Sequence, residues 1–191
     1  GTELTHALTD GNYTLQATAN DTLGQSNPTN PRNILVDTIF PLIDFASPTP
    51  ANLTVVNGTV VLNFTASDTN LVNITISLDG STTQLCTSSP CSFALNTTTV
   101  AEGNPTVHPT VIDVAGNLNS TSTRTVDVDN SDPTIQFVSP TPSSDVYSSN
   151  QTINVTGSDS HLGTLTLVVD NSIVATSATS PLTFLLTEGN H

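Results

Sequence analysis

One phrase of fifteen residues occurs twice in this 191-residue chain and limits what the chain can fold into. VDTIFPLIDFASPTP, residues 36–50, returns as VDNSDPTIQFVSPTP, residues 128–142, at an offset of 92 residues and without a gap. A fixed period of this size indicates an array of structural units. It also matches the length of one β-sandwich. The repeated phrase therefore predicts tandem β-sandwiches, and it joins the end of one unit to the start of the next.

The composition supports strands and excludes most helix. The chain contains 35 Thr together with many Val and Ile, and these β-branched residues favour pleated sheet. No eleven-residue window shows a convincing 3.6-residue period, so almost no helix is expected. Six to seven short strands at about ten-residue spacing, without crossover helices, predict an all-β fold of antiparallel sandwiches.

The period divides the chain into three segments. Residues 1–41 correspond to the last third of a unit, residues 42–132 to a complete unit, and residues 133–191 to the beginning of another. The final LTEGNH resembles LTDGNY (8–13), so the two partial units complement each other. Two interpretations stay open: an excerpt of a longer covalent array, or a filament subunit whose ends complete a shared sandwich with neighbouring subunits by strand donation.

The charge restricts the partners. The formal net charge is −14, with two Arg and no Lys, which argues against nucleic acids and anionic membrane surfaces because both attract basic residues. The acidity fits either divalent-cation binding or a soluble, exposed surface. No signal peptide and no apolar run near ~20 residues is visible, although the chain begins in mid-pattern and a leader or anchor can lie outside it.

A family resemblance rests on three consecutive patterns. Asp113–Asn117 reads D-x-A-G-N, a strand ending in Val-Asp follows, and Pro-x-Ile-x-Phe-x-Ser-Pro comes next. Together they resemble the immunoglobulin-like (Ig-like) repeats of bacterial and archaeal cell-surface proteins, which are stacked in adhesins, surface layers and stalks. The resemblance implies Ig-like sandwiches and an extracellular or cell-surface location. The first segment departs from the pattern, with Asp21-Thr-Leu-Gly-Gln25 in place of D-x-A-G-N.

The two cysteines, Cys86 and Cys91, bracket a short loop between two strands of the complete unit. A disulfide closing this loop would add about 2 kcal/mol on the loop-entropy model and would imply an oxidising, extracytoplasmic setting. A redox pair or a metal site is the alternative, but a lone C-x4-C without further Cys or a nearby His is a weak signal for either.

Asn-x-Ser/Thr sequons are more frequent than chance, which predicts about six in this composition. Asn63, Asn73 and Asn154 alternate with core residues and are therefore expected on the solvent face. We predict N-linked glycans at several sequons, and such sequon use in a prokaryotic type of repeat points to an archaeal source. The ten candidate sites are Asn12, Asn20, Asn52, Asn57, Asn63, Asn73, Asn96, Asn119, Asn150 and Asn154.

Carboxylates cluster at the junctions between units. Calcium takes six to eight oxygen ligands, and in the resembling surface repeats calcium at junctions stiffens the array. The candidate ligands are Asp21, Asp37, Asp113 and Asp129. The alternative is that these Asp residues only form turns.

The only two basic residues, Arg32 and Arg124, occupy the same repeat position. Each is expected to form an ion pair with an Asp.

Nothing in the sequence supports catalysis. His6, His108, His161 and His191 lie in different segments, and no Ser-His-Asp set, paired Glu or nucleotide loop can be assembled. The favoured function is a building block of a glycosylated extracellular filament, stalk or surface layer, with neighbouring repeats or subunits, other cells or surfaces as partners. The alternative is a ligand-binding adhesin segment or an accessory module of a secreted enzyme. That alternative needs an aromatic platform, which Tyr13 and Tyr147 without any Trp hardly supply.

Overall fold

The computed structural model describes residues 5–143 and 149–187, and within them the side chains of residues 83 and 84 are left aside. The chain divides into two compact units, Gly1–Val128 and Asp129–His191. The N-terminal segment thus groups with the complete repeat, and the division falls four residues before the boundary expected from the period. The described residues form antiparallel sheets almost throughout, with one short 3-10 helix at Thr97–Thr99. The predicted all-β fold is confirmed.

The N-terminal segment contains four short strands. Strand β1 pairs with β4, and β2 pairs with β3, both antiparallel. Tyr13, Leu15, Ala17 and Ala19 alternate with polar residues in the sequence, which predicts a half-buried face. Tyr13 is half-buried, but the other three are exposed, so this face is largely open to solvent. The strands are β1 (Gly11–Leu15), β2 (Thr18–Asn20), β3 (Ser26–Pro28) and β4 (Arg32–Val36).

The complete repeat is a sandwich of two sheets. One sheet has the order β10-β7-β5 and the other β6-β13-β11-β8-β9, with β12 paired to β11. All pairs are antiparallel except β13 with β6, which is parallel. The strands are β5 (Leu42–Ala46), β6 (Thr54–Val56), β7 (Thr59–Ser67), β8 (Leu71–Leu78), β9 (Ser81–Cys86), β10 (Cys91–Asn96), β11 (Thr106–Asp113), β12 (Leu118–Ser120) and β13 (Arg124–Val128).

The core of this sandwich follows the two-residue alternation of its strands, because successive side chains point to opposite faces of a sheet. The buried hydrophobic cluster takes three side chains from β7, two from β8 and two from β11, which puts the core between the two sheets. An Asp-Gly turn joins β8 to β9, and Asp79 and Gly80 both have positive φ, +48° and +78°, as the turn type favoured in hairpins requires. These buried side chains are Val60, Leu62, Phe64, Ile74, Ile76, Val107 and Val111.

The second unit repeats part of this sandwich. The order β14-β15-β18 matches β5-β7-β10, and the hairpin β16-β17 matches β8-β9. Its buried core is small, consisting of Val155, Leu165, Leu167 and Leu182. The strands are β14 (Thr134–Val138), β15 (Gln151–Ser158), β16 (Leu165–Val169), β17 (Ser172–Ser177) and β18 (Leu182–Leu186). In the part of the chain that the structure describes, no helix has the length and hydropathy needed to cross a bilayer.

Candidate functional site

The segment between β4 and β5, residues 37–41, is fastened to the complete sandwich by three asparagine side chains. Asn117 donates from Nδ2 to the carbonyl oxygens of Asp37 at 3.1 Å and Ile39 at 3.2 Å. Asn119 donates to the carbonyl oxygen of Pro41 at 2.8 Å. Asn70 donates to Oδ2 of Asp37 at 2.7 Å. The junction ahead of the sandwich is therefore held by side chains of the sandwich itself.

Three carboxylates meet at this junction, and we call Asp37, Asp68 and Asp113 the junction cluster. One oxygen of each lies within 4.8 Å of one oxygen of the other two. Asp37 follows β4, Asp68 follows β7 and Asp113 ends β11, so three distant segments converge. Asp37 and Asp113 were two of the four calcium ligands proposed from the sequence, whereas Asp68 was not among them. A usable signal was present, because Asp159 follows the matching strand β15 as Asp68 follows β7.

Asp113 is buried, with 3% of its surface exposed. Its Oδ1 accepts from the backbone N–H of Asn117 at 2.8 Å and its Oδ2 from Asn117 Nδ2 at 2.7 Å. Burial acts to raise the pKa of Asp113, but the hydrogen bonds from Asn117 and from the backbone N–H groups of Gly116 and Ala115 outweigh it and hold the pKa below 3.8. Asp113 is thus ionised at neutral pH and available as an anionic ligand.

The D-x-A-G-N motif is explained by this loop. Gly116 has φ +92°, a left-handed conformation that glycine adopts without steric cost. The turn lets Asn117 reach back to Asp113 and forward to the 37–41 segment. The motif therefore serves to bind the loop to the junction.

The junction cluster fits a hard divalent cation. Carboxylate oxygens and nearby backbone carbonyls are the ligands that calcium prefers. The only two basic side chains of the chain lie on β4 and β13, and in the described residues the hydrogen-bond donors to the cluster are amides. Three carboxylates this close repel one another in the absence of a counter-charge.

The contacts of Arg124 differ from the ion pair with an aspartate that the sequence predicted. Its guanidinium carbon lies 4.1 Å from the centre of the Phe45 ring, and its Nη1 donates to the carbonyl oxygen of Pro50 at 2.8 Å. In the described part of the chain Arg124 thus contacts a ring and a carbonyl in place of the expected carboxylate, because it projects from β13 onto the apolar side of β5. Arg32, at the same repeat position, is exposed.

The second unit contains a related group, Asp129, Asp159 and His161, whose ligand atoms also lie within 4.8 Å of one another. Nδ1 of His161 lies 2.7 Å from Oδ2 of Asp129. The hydrogen bond from His161, reinforced by Ser131 and Ser160 and opposed by burial, lowers the pKa of Asp129. His161 stands where the first junction has Asn70.

Ser160 lies beside His161 and Asp129 of this group, but the three side chains are not in a relay arrangement. Ser160 Oγ lies 3.2 Å from Nδ1 of His161, and Asp129 Oδ2 approaches the same nitrogen. A catalytic imidazole uses one ring nitrogen for the nucleophile and the other for the carboxylate. The arrangement of Ser160, His161 and Asp129 is therefore not that of a catalytic triad.

Asp21, the remaining predicted calcium ligand, is exposed and is used in its own turn. Its Oδ1 accepts from the backbone N–H groups of Leu23 at 2.9 Å and Gln25 at 2.8 Å. The backbone bond from Gly24 N to Asp21 O, 3.2 Å, corresponds to the bond from Gly116 N to Asp113 O, 3.3 Å. The Asp21 loop therefore has the same backbone turn as the Asp113 loop. Asp21 is exposed, however, whereas Asp113 is buried among residues of the junction.

The ten sequons fall into two groups by exposure. The exposed asparagines are Asn12, Asn20, Asn52, Asn57, Asn96 and Asn150, and the half-buried ones are Asn63, Asn73, Asn119 and Asn154. Asn63 and Asn154 donate from Nδ2 to the carbonyl oxygens of Ser47 at 3.0 Å and Ser139 at 3.4 Å. The Oδ1 atoms of both are buried, and neither has a partner in the described residues. These two side chains are therefore hydrogen-bonded to the backbone. They do not project freely into solvent, although the sequence predicted a solvent-facing position for both.

The predicted disulfide between Cys86 and Cys91 is confirmed, with a Cα–Cα distance of 5.8 Å. It joins the end of β9 to the start of β10. Since β9 and β10 belong to different sheets, the bond links the two sheets at one edge of the sandwich.

Comparisons with known proteins support the fold. Residues 41–108 match a family model described as a bacterial Ig domain, which confirms the Ig-like assignment for the central unit. The fibronectin(III)-like modules of Clostridium thermocellum CbhA are 14% identical with a TM-score of 0.41, over 78% of this chain and 80% of theirs. An endo-beta-1,4-mannanase from Thermotoga petrophila is 13% identical with a TM-score of 0.40, over 50% of this chain and 21% of the mannanase. These TM-scores are too low to carry an argument. No curated protein matches the chain.

Proposed function

From the bacterial Ig-type fold of residues 41–108, we propose that this chain is a structural building block of an extracellular surface filament, stalk or surface layer, acting in attachment or cell–cell contact. One observation carries the proposal: the same strand pairings recur at the sequence period. The register Phe45↔Phe64 of the complete repeat recurs as Phe137↔Val155 in the second unit. Units that repeat in structure as well as in sequence are a means of building length.

The junction supports a stiff array. A linker whose backbone makes no hydrogen bonds to its neighbours would bend. Residues 37–41, by contrast, accept hydrogen bonds from three side chains of the sandwich, those of Asn70, Asn117 and Asn119. Each of these bonds is partly buried except the one to Ile39, which is exposed, so water competes less for most of them than for a fully exposed bond. A chain of units joined in this manner resists bending where it would otherwise be weakest.

The proposal includes a divalent cation, calcium in the first instance, bound by the junction cluster. The support is the convergence of three carboxylates, two that directly follow β4 and β7 and one at the end of β11. A cation there would remove their mutual repulsion and fasten the junction to both loops of the sandwich. Calcium should then raise the melting temperature of the protein, since a ligand that binds only the folded state stabilises it by about 2.7 kcal/mol at a concentration 100 times its Kd.

The calcium test compares two substitutions by differential scanning calorimetry after chelation and after return of calcium. Asp68→Asn should reduce the stabilisation by calcium strongly. Asp44→Asn is the matched control, because Asp44 is an exposed aspartate on β5 outside the cluster. An equal calcium response in the two variants would contradict a site at the junction.

N-linked glycans and an extracytoplasmic location complete the proposal. The Cys86–Cys91 bond supports this setting, because disulfides persist mainly in oxidising compartments. Glycans on an acidic array would keep it soluble and shield strand edges. The exposed sequons are the sites we propose.

The alternative of a sugar-binding module finds less support. Its platform would use Tyr13 and Tyr147. The Tyr13 hydroxyl donates to the carbonyl oxygen of Thr9 at 2.7 Å, which holds the ring against its own segment, and Tyr147 lies outside the described residues. We therefore favour the structural role, which involves no catalysis, over the sugar-binding module.

The experiment that tests this function is electron microscopy of surface material from the source cells, labelled with an antibody against the chain. Filaments, stalks or a lattice that carry the label are the expected result. Label confined to soluble protein, together with specific capture on a glycan array, would overturn the structural role.

A further inference from the structure

Two separate stretches of the second unit bring three metal-ligating side chains together. Asp129 lies ahead of β14, and Asp159 and His161 lie in the loop between β15 and β16. The ligand atoms of the three side chains all lie within 4.8 Å of one another. We call Asp129, Asp159 and His161 the histidine cluster. It differs from a purely acidic group because one of its three donors is an imidazole nitrogen.

Hydrogen bonds already orient the side chains of the histidine cluster. Oδ1 of Asp129 accepts from the backbone N–H of Ser131 at 3.2 Å, and Oδ1 of Asp159 accepts from the backbone N–H of His161 at 2.7 Å. Oγ of Ser160 donates to Oδ2 of Asp129 at 3.3 Å. In protein metal sites, contacts of this kind fix the direction of the ligands. The carboxylates and the imidazole therefore need little rearrangement to bind an ion.

The closest pair of ligand atoms has room for an ion between them after a small movement. Nδ1 of His161 lies 2.7 Å from Oδ2 of Asp129, and the Asp129 side chain is only 10% exposed. Zinc binds histidine nitrogen and carboxylate oxygen at about 2.0–2.2 Å, so a slightly wider gap between the two atoms is enough. In the tautomer with its proton on Nε2, His161 presents the Nδ1 lone pair to such an ion. Residues 129–191 contain no Lys or Arg to neutralise this carboxylate.

The first junction provides a direct comparison within the same chain. There Asn70 occupies the place of His161, and its Nδ2 donates to Oδ2 of Asp37 at 2.7 Å, the same distance as that between His161 and Asp129. An amide side chain offers a metal only a hard oxygen, which suits calcium. An imidazole offers nitrogen, which suits zinc, copper and nickel. The two groups share a repeat position and differ in the class of cation that their donors prefer.

We propose that the histidine cluster binds a divalent transition metal, represented by zinc. Its protein ligands are Nδ1 of His161 and one carboxylate oxygen each from Asp129 and Asp159, and water supplies the fourth ligand. The hydroxyl of Ser160 stands beside the metal and orients its ligands. This site goes beyond the calcium site proposed for the junction cluster, because it takes a cation of another class. The bound metal ties the start of the second unit to the loop between β15 and β16.

Isothermal titration calorimetry of the 191-residue chain with zinc chloride tests the site. His161→Asn gives the second unit the residue that the first junction has, and it should weaken zinc binding by about 100-fold or more, since even outer-shell partners of a metal change its affinity by about 10- to 100-fold. The matched control is His6→Asn, which removes an exposed imidazole outside the cluster and should leave the zinc affinity unchanged. Calcium binding should be nearly equal in the parent and both variants.

NMR identifies the ligand atom in the parent protein, independently of any variant. In long-range ¹H–¹⁵N spectra of the imidazole rings, zinc should shift Nδ1 of His161 and leave both nitrogens of His6 in place. Circular dichroism of zinc-free His161→Asn should match that of the parent, because the side chain of His161 is 32% exposed. A loss of zinc binding in this variant then reports a lost ligand and not a lost fold.

The reciprocal variant, Asn70→His, tests whether this one repeat position sets the cation class. It places an imidazole beside Asp37 and should add a second equivalent of bound zinc. Equal zinc affinity in the parent and His161→Asn, or zinc that leaves Nδ1 of His161 unshifted, would overturn the site. The calcium response tested with Asp68→Asn and the labelled electron micrographs do not depend on zinc, so failure of this inference and failure of the proposed function are distinguishable.

Discussion

At the scale of single residues, Asp113 connects the D-x-A-G-N loop to the junction. Its ionisation makes the stability of the first unit depend on pH. Its pKa in the folded state lies below the ordinary 3.8. Ionised Asp113 therefore contributes stability that is fully present above 3.8 and is lost as pH falls through the lower, folded-state pKa. In the presence of a chelator, we expect the urea midpoint of the first unit to fall in acid, and Asp113→Asn to lower the midpoint at neutral pH and flatten the acid limb.

Asp44→Asn is the control for this experiment, since Asp44 is exposed and lies outside the junction cluster. Its acid limb should run parallel to that of the parent protein. If Asp113→Asn retained the full acid dependence, the ionised form of Asp113 would not be the source of the stability.

Glycan occupancy is a second prediction at this scale. The exposed asparagines Asn20 and Asn57 should carry glycans in native protein, as read from peptide mass spectrometry. Asn63 and Asn154 should be unmodified, because their amide nitrogens, the atoms that a glycan would occupy, are bound to backbone carbonyls. Asn104, which is exposed but followed by Pro-Thr, is the control, because proline in the middle position prevents glycosylation. Modified Asn63 together with bare Asn20 and Asn57 would contradict this reasoning.

The junction cluster shows how far single residues can be predicted from sequence. Asp37 and Asp113 were among the candidate ligands because carboxylates cluster at the junctions between units, but the sequence did not show that these two come together. Asp68 was missed because it follows a strand whose end is set by sheet register, which a linear pattern does not contain. Arg124 was misjudged for a related reason: its neighbour is an aromatic ring from a distant strand, and charge alone suggested a carboxylate.

At the scale of elements, the Cys86–Cys91 bond links the two sheets of the first unit, and the second unit offers an internal control. The matching positions there are Ser177 and Leu182. A reductant, or the pair Cys86→Ser with Cys91→Ala, should lower the stability of the first unit by about 2 kcal/mol on the loop-entropy model. Calorimetry should show the transition of the second unit unchanged by the reductant. Equal shifts of both transitions would show that the reductant acts by another route.

The positions of the strands were largely predictable from the sequence. The elements that pack on their apolar faces were not. The alternation of Leu62 and Phe64 against polar neighbours placed β7, since a half-buried strand needs one apolar face. Strand β6 was missed, because three residues carry no periodic signal and its parallel partner β13 is about seventy residues away. The alternation in β1 was also recognised, but a pattern identifies the apolar face without showing what covers it. Leu15 is accordingly 49% exposed.

At the scale of the whole molecule, the repeat makes one contact geometry available more than once. The pairing Phe45↔Phe64 of the complete repeat recurs as Phe137↔Val155 in the second unit. The junction cluster of the first unit likewise has a counterpart in the group Asp129, Asp159 and His161 of the second. Units that repeat the same contacts suit an array, which is the structural role proposed above.

The proposed structural role predicts that self-association of the protein depends on salt. Each copy carries a formal charge of −14, and like charges oppose association until ions screen them over a Debye length of about 8 Å at physiological ionic strength. We expect the concentration for half-assembly, followed by light scattering, to fall as sodium chloride is raised. Calcium chloride at matched ionic strength should lower it further, because a bound divalent cation would neutralise the carboxylates of the junction cluster.

The variant Asp68→Asn separates the two effects of salt. It should keep the sodium chloride dependence, which reflects the charge of the whole surface, and lose most of the additional effect of calcium, because Asp68 belongs to the junction cluster. Thr69→Asn is the control at the next, exposed position and should keep both. If the parent protein responded equally to calcium and sodium at matched ionic strength, screening alone would account for assembly, and the cation would have no specific place at the junction.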